Sequence, residues 1–322
     1  MLGEHDTKEL VKMKAMKLPV VVASLEDIAG QNIKNQLLKM ERWVSKECGA
    51  GAKEALFCER FKAYLVTIEE GLVHSDRLDA YCEQTGIDPL AYIFASRHRS
   101  ETARPSLLAH VTGNWGDQAD LGGEPRRVCK ASGALLRLAY RGLLRQKVQH
   151  AAELEKFAVD LEVTHHGPTN LQAPLVFVEL GSDEVNWRDV AGARAVARVI
   201  IELLESIEAA SFDLGKLAGN LAGVGMGFGG LHYAQSFERV MAGDSRAALA
   251  HIVPKHAIAS LTRDSIELAM KNTVEGVSWF VLDWKGLNAE QKDVLMPLLA
   301  SFPGVPVKRT RDFDRECHGS AT

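Results

Sequence analysis

The stretch Leu161–Asn170, "LEVTHHGPTN", places two adjacent histidines, His165 and His166, behind a segment that alternates apolar and polar residues. That alternation, "FAVDLEV", reads as a half-buried strand. Gly167 precedes Pro168, which biases it toward an extended conformation and turns the chain away. The pair therefore lies at a strand-to-loop exit, where open α/β sheets bind ligands. Neighbours on a regular strand face opposite ways, so both imidazoles can serve one site only if the strand breaks at Thr164. Three further strand-like segments end in reactive residues. "YIFAS" leads into Arg97-His98-Arg99-Ser100-Glu101, "LLAHVTG" carries His110, and "LVFVEL" carries Glu179. Together they predict one crevice on the sheet's carboxyl edge. Histidines and carboxylates without cysteine ligands suit zinc, or a water activated by histidine alone.

Two glycine- and histidine-bearing segments follow. "GVGMGFGGLHYAQ" satisfies GxGxxG as a string, but no β-branched strand leads in and no acid ends a second strand. A dinucleotide site is excluded on that context. The cluster instead lets backbone amides near Gly229 and Gly230 approach a ligand, with His232 just beyond. "AHIVPKHAI" adds His251, Lys255 and His256 around Pro254; the alternative there is an edge strand with surface polar residues. GxSxG, a Walker A sequence and HExxH are all absent, which leaves nucleophilic serine chemistry without support.

The elements that must position these residues alternate between strand and helix. "PVVVAS" (19–24), "KAYLVTIE" (62–69), "LAYIFAS" (90–96), "SLLAHVTG" (106–113), "PLVFVELGS" (174–182) and "VSWFVLDW" (277–284) read as strands. Asp27 to Lys46 reads as a helix, and Val196, Val199, Ile200, Leu203, Leu204 and Ile207 recur at helical spacing. The glycine-rich stretches 113–123 and 215–230 read as loops. This pattern predicts a three-layer α/β/α sandwich over residues 18–302, as one large domain or two lobes. Residues 1–17 and 303–322 are expected to be a flexible extension and a tail.

The chain has 322 residues, 46% apolar and 25% charged, an ordinary globular composition. Its longest apolar runs fall well short of the roughly 20 residues of a membrane helix. The N-terminus lacks the features of a signal or transit peptide, so the cytoplasm is expected. The five cysteines include no CxxC pair, which argues against a disulfide framework or a cysteine zinc ribbon. Net charge is −4, yet seven Lys/Arg and no acid occupy 126–148. With Ser132 as a cap, Arg137, Arg141 and Arg145 form one helical stripe, either a solvated face or a phosphate-contacting one.

Seven strings, in order, resemble the signature segments of the D-aminoacyl-tRNA deacylases of the archaeal and plant type. They are "VVASLEDIAGQNIKNQLL", "IFASRHRSETARPSLLAHVTGNWG", "EVTHHGPT", "VFVELGSDEVNWRD", "GFGGLHYA", "AHIVPKHAI" and "VLDWKGL". The resemblance spans Val20 to Leu287 and implies hydrolysis of the ester joining a D-amino acid to tRNA. It also implies zinc dependence and a mixed, mostly parallel sheet like that of the phosphorylase/peptidyl-tRNA hydrolase class. His165, His166, His98 and Glu101 are then the catalytic candidates. His110, His166, Glu179, His232 and His251 are the candidate metal ligands. Arg97, Arg99, Thr164, Gly229, Gly230, Lys255, Arg137, Arg141 and Arg145 are the candidate contacts to substrate and RNA. The partner implied is tRNA charged with a D-amino acid; neither a membrane nor an obligate protein partner is expected. Two departures from the family pattern stand out: Gln235-Ser236 follows "HYA", and His256 follows "PK". Rival readings are a peptidyl-tRNA hydrolase-like enzyme and a catalytically silent tRNA-binding protein.

Overall fold

The computed structural model describes residues 16–47, 52–243 and 245–314. In chain order its strands are β1 (Leu18–Ser24), β2 (Val44–Lys46), β3 (Glu54–Cys58), β4 (Ala63–Ile68), β5 (Pro89–Arg99), β6 (Ser106–His110), β7 (Gly113–Asn114), β8 (Arg127–Val128), β9 (Ala158–Leu161), β10 (Leu175–Ser182), β11 (Gly223–Gly230), β12 (Ala247–Pro254), β13 (Trp279–Leu282) and β14 (Val307–Arg309). The helices are α1 (Ile28–Met40), α2 (Leu78–Gln84), α3 (Gly133–Gln149), α4 (Glu184–Trp187), α5 (Val190–Ala209), α6 (Leu214–Leu217), α7 (Gln235–Ala242), α8 (Arg263–Lys271) and α9 (Ala289–Ala300).

The main sheet has eight strands in the order β2-β3-β4-β1-β5-β10-β6-β9. Its centre is parallel, while β2, β3 and the β10–β6 pair are antiparallel. The α/β class and the mixed, mostly parallel sheet are therefore as expected. β1 reads "LPVVVAS" because both its faces are covered, and Val20, Val21 and Val22 are wholly buried. Helix α1 starts where the Asp27 carboxylate accepts from Gly30 N at 2.8 Å. Its other oxygen accepts from Arg97 N at 2.8 Å, which ties the helix to the exit of β5. Gly30 lets α1 approach that strand: a Cβ there would sit 2.6 Å from the Ala95 carbonyl oxygen. Strand alternation sends Ala95 toward α1 and Tyr92, Phe94 and His98 to the opposite face. There Phe94 stacks on Phe177 at 4.4 Å, and His110 lies 5.2 Å from the same ring. Segment 163–172 and α2 meet this second face, with Tyr92 Oη and Gln172 N both donating to Asp79.

The sequence did not show the second sheet. β12-β11-β13-β14 is wholly parallel, and β11 is the glycine-rich stretch read above as loop. Glycines at 225, 227 and 230 are required because neighbouring side chains lie 2.9–3.0 Å from where their Cβ atoms would be. Helix α3 packs against both sheets, held at its start by Glu275, which accepts from Gly133 N at 3.1 Å and Ala134 N at 3.0 Å.

Two boundaries are corrected. Helix α1 stops at Met40, and Val44–Lys46 pairs with β3. The fold runs past 302, since β14 pairs with β13 and Phe313 is buried against Trp279. Residues 1–15 and 315–322 of the expected extension and tail lie outside the described residues. The arginines of the stripe are engaged within the protein, and Arg137 is buried. Arg137 is 6% exposed, and its guanidinium donates to the carbonyls of Met241 and Gly243. Arg141 donates to Gly243 O at 3.2 Å, and Arg145 pairs with Glu202 at 2.6 Å. The positive charge closes the α7 terminus and the α3–α5 contact.

Two outcomes follow from this packing. Alanine at position 30 gains about 1 kcal/mol of helix propensity, but the clash with Ala95 O should outweigh it, leaving Gly30→Ala less stable by ~1–3 kcal/mol in chemical denaturation. A stabilised variant would show that α1 does not press on β5. Arg137→Ala should lose about 2 kcal/mol by stranding the buried Met241 carbonyl and weakening the hold on that of Gly243 and leave the salt dependence of RNA binding unaltered. A log–log slope smaller by about 0.7–0.9 would restore the phosphate role.

Candidate active site

The strand exit that opened the sequence reading is shared between the two sheets. β9 pairs with β6 through Leu161, and Glu162 N still donates to Ala109 O at 3.2 Å. The chain then leaves that partner: Val163 N donates to His232 O at 3.1 Å, and Thr164 N donates to Ile252 O of β12 at 2.9 Å. Thr164 Oγ1 accepts from Ile252 N at 2.9 Å. Thr164 is thereby a structural joint, at the edge of the cleft that His165 and His166 line. The ladder ends at His165, and His166 has φ +42°, left-handed for a non-glycine residue. With regular alternation broken, the His165 and His166 rings lie 4.4 Å apart, and both contact His110, at 4.4 and 4.9 Å. Gly167 is needed beneath them, since a Cβ would meet Gly123 N at 2.3 Å and Val73 O at 2.5 Å.

Each of the three imidazoles places Nδ1 against a main-chain carbonyl: His110 on Val111 O at 3.1 Å, His165 on Val163 O at 2.8 Å, His166 on Gly167 O at 2.6 Å. A carbonyl only accepts, so Nδ1 carries the proton and the Nε2 lone pairs are left free. His110, His165 and His166 each offer a ligand atom within one 4.8 Å group. Burial and the neighbouring His110 hold His165 well below its ordinary value and His166 at about 3. Both are therefore neutral, the form that binds metal.

Behind this trio lie two buried carboxylates. Glu179 on β10 approaches His110 Nε2 at 3.6 Å and His98 Nδ1 at 3.5 Å. Glu162 lies 3.5 Å from His98 Nδ1, 4.0 Å from His110 Nε2 and 2.8 Å from His232 Nε2. The last contact is close but not aligned as a hydrogen bond, so both Glu162 oxygens and His110 Nε2 are buried without one. Burial works to depress His98 and His110; the Glu179 hydrogen bond and the charge of both glutamates overcome it and raise them. Burial likewise opposes ionisation of Glu179, and His110 and His98 reverse that, holding it well below the carboxylate range. Trp187 Nε1 donates to His98 O at 2.8 Å, and His98 Nε2 lies 3.2 Å from Tyr233 Oη.

His165 and His166 also line an open cleft of about 650 Å³, within the range of small-ligand pockets. Trp115, Pro254, His256 and Ala257 line it, together with the acids Asp117 and Asp120. His232 is half exposed (51% for its side chain), so the cluster also reaches solvent there.

Of the residues singled out from sequence, His98, His110, His165, His166, Glu179 and His232 converge. Glu101 does not; it is exposed in the turn after β5. His251 is wholly buried in β12 with neither ring nitrogen hydrogen-bonded, and it belongs to no ligand group. Arg97 donates to Glu26 O and lies over Trp187, on the α1 side of the sheet; Arg99 shares its parity. Gly229 and Gly230 are buried for packing against Leu287 and Val163. Lys255 lies outside the cleft that its neighbour His256 lines. Sequence reasoning overlooked Glu162 and Tyr233. Asp160, Glu162 and Thr164 make up the polar face of an alternating strand, which reads as solvent-facing; all three are buried.

The family model described as D-aminoacyl-tRNA deacylase matches residues 85–303, which hold every member of the cluster. A D-aminoacyl-tRNA deacylase of Methanosarcina barkeri is 31% identical over 98% of this chain and 97% of its own length. That of Thermococcus kodakarensis is 34% identical over 86% and 94%. The relative from Methanococcoides burtonii is 32% identical over 91% of this chain, which spans 57% of that longer protein. A solved structure of a conserved protein of unknown function superposes with a TM-score of 0.79 at 28% identity, over 93% of this chain and 98% of the other. The chain belongs to the D-aminoacyl-tRNA deacylase family, whose members are hydrolases of an ester bond.

Proposed function

We propose that the histidine–glutamate cluster is where this chain hydrolyses the ester of D-aminoacyl-tRNA, and that His110, His165 and His166 hold a zinc ion there. The observation that carries this reading is the set of three imidazoles whose Nδ1 protons are fixed by carbonyls and whose Nε2 lone pairs are free. The unbonded Nε2 of His110 and the unbonded oxygens of Glu162 point to a group that would complete them. A zinc ion bound there would polarise a carbonyl and acidify water.

The protein's own groups supply the rest. The ester carbonyl enters through the cleft that His165 and His166 line. Glu162, buried and without a hydrogen bond, takes the proton of the attacking water on a carboxylate oxygen. His232, 2.8 Å away and open to solvent, carries that proton to the ribose oxygen as the ester C–O bond breaks. The products are free D-amino acid and tRNA with its hydroxyl restored. Glu179 lies against His98 and His110 at 3.5 and 3.6 Å and fixes their place, and Tyr233 supports His98.

His165→Ala and His166→Ala should each lower kcat on D-tyrosyl-tRNA by at least about 10²-fold, and bound zinc measured by atomic emission should fall in both. Zinc retained in either variant would remove that histidine from the ligand set. Glu162→Gln should lower kcat by roughly 10²–10⁴-fold while metal content holds; turnover near normal would exclude Glu162 as the base. Chelation should abolish release of D-tyrosine and added zinc restore it. Equal turnover of L-tyrosyl-tRNA, or cleavage of N-acetyl-aminoacyl-tRNA in its place, would favour the peptidyl-tRNA hydrolase reading.

A further inference from the structure

Because the second sheet is wholly parallel, its four strands bring their carboxyl ends to one edge. The register places Val253, Phe228, Leu282 and Arg309 in one row across β12, β11, β13 and β14. Beyond that row, β12 runs into Pro254 and His256 of the cleft, and β11 runs into His232. β13 ends at Leu282 and leads into the turn that carries Trp284, so that turn follows the strand next to the one that delivers His232. Strand spacing puts the β13 exit roughly 10 Å from the β12 exit.

Trp284 is half-buried and carries cations on its ring. Lys292 Nζ is 4.7 Å from the ring centroid, and Arg309 Cζ is 4.4 Å from it. Lys285, the next residue, is exposed. Of the acids around it, Asp283 accepts from Gly286 N at 3.1 Å and Asp312 accepts from Arg309 N at 2.7 Å, while Glu290 and Asp293 beside Lys292 are exposed. No carboxylate forms an ion pair with Lys292 or Arg309 among the described residues. An aromatic face with unpaired cations at its sides binds single-stranded nucleic acid, because bases stack on the ring and phosphates meet the charges.

We propose that Trp284, Lys292 and Arg309 hold the single-stranded 3′ end of tRNA, directly before the terminal adenosine that carries the ester. The inference rests on the deacylase reading, which requires that end to reach the histidines, and the edge of the second sheet leads there. A base takes the indole face now covered by the flexible Lys292 stem, and Lys292 and Arg309 turn to the flanking phosphates.

The test measures binding of uncharged tRNA, and of the same tRNA trimmed of its terminal CCA, to the whole chain. Trimming should weaken wild-type binding about tenfold or more, as loss of a base stack does, and Trp284→Ala should bind both RNAs alike. Lys292→Gln/Arg309→Gln, which keeps the indole, should reduce the log–log salt slope by about 1.4, two single-strand contacts. Wild-type protein indifferent to trimming, or an unaltered slope in the double variant, overturns the proposal. Release of D-tyrosine from D-tyrosyl-tRNA is followed in parallel. Its failure with trimming discrimination intact would sink the deacylase reading and leave the RNA surface standing.

Discussion

A few peptide units between Leu161 and His166 hold the molecule's two sheets together. Main-chain donors and acceptors in a buried segment must all find partners, and here they find them in sequence on β6, on the chain after β11, and on β12. The strand cannot stay regular while its partner changes. At the point where the ladder ends, two consecutive side chains can turn into one space, and those side chains are His165 and His166. The pairing of the sheets and the pairing of the histidines are thus one event. Position 166 accepts a left-handed backbone as part of it, an arrangement that persists where surrounding structure over-determines it.

Electrostatics impose the second condition. Glu162 and Glu179 are almost wholly removed from water, which is costly for carboxylates unless cations or hydrogen bonds compensate. His98 and His110 approach Glu179 at 3.5 and 3.6 Å and compensate its charge, which raises their own proton affinity. His165 and His166 receive no such support and are held neutral. One cluster therefore holds imidazoles whose proton affinity is raised and others whose proton affinity is lowered, according to how closely each faces the two glutamates. Glu162 keeps both of its buried oxygens without a hydrogen bond.

The second sheet gives this chemistry its surroundings. The glycines of β11 bring that strand against Val163, Phe237 and Leu287, and through this contact His232 reaches Glu162. β12 supplies both the ladder for Thr164 and, past Pro254, the cleft wall at His256. Helix α3, with its arginines turned to main-chain carbonyls and Glu202, packs against both sheets and keeps their relation fixed.

Much of this was legible in the residues themselves. Apolar, β-branched runs and a helical repeat marked the main sheet and α5, because burial on both faces or on one stripe leaves a periodic trace. Strand exits rich in His and Glu marked five of the eight residues in the cluster, because the carboxyl ends of parallel strands share an edge, and the glycine cluster marked a sixth, His232. Other features left no local trace. A polar residue alternating with apolar ones looks the same whether its face meets water or a buried cluster, so Glu162 passed for surface. A glycine-rich strand has the composition of a loop, and only the side chains packed against it reveal why glycine is required. A basic stripe on a helix looks alike facing phosphates or carbonyls, and the partner of Arg137 lies 104 residues away. The sequence determined the chemistry available and the edge where it would gather. Tertiary structure decided which polar groups lost their water, since desolvation depends on what packs against a residue and not on its neighbours in the chain.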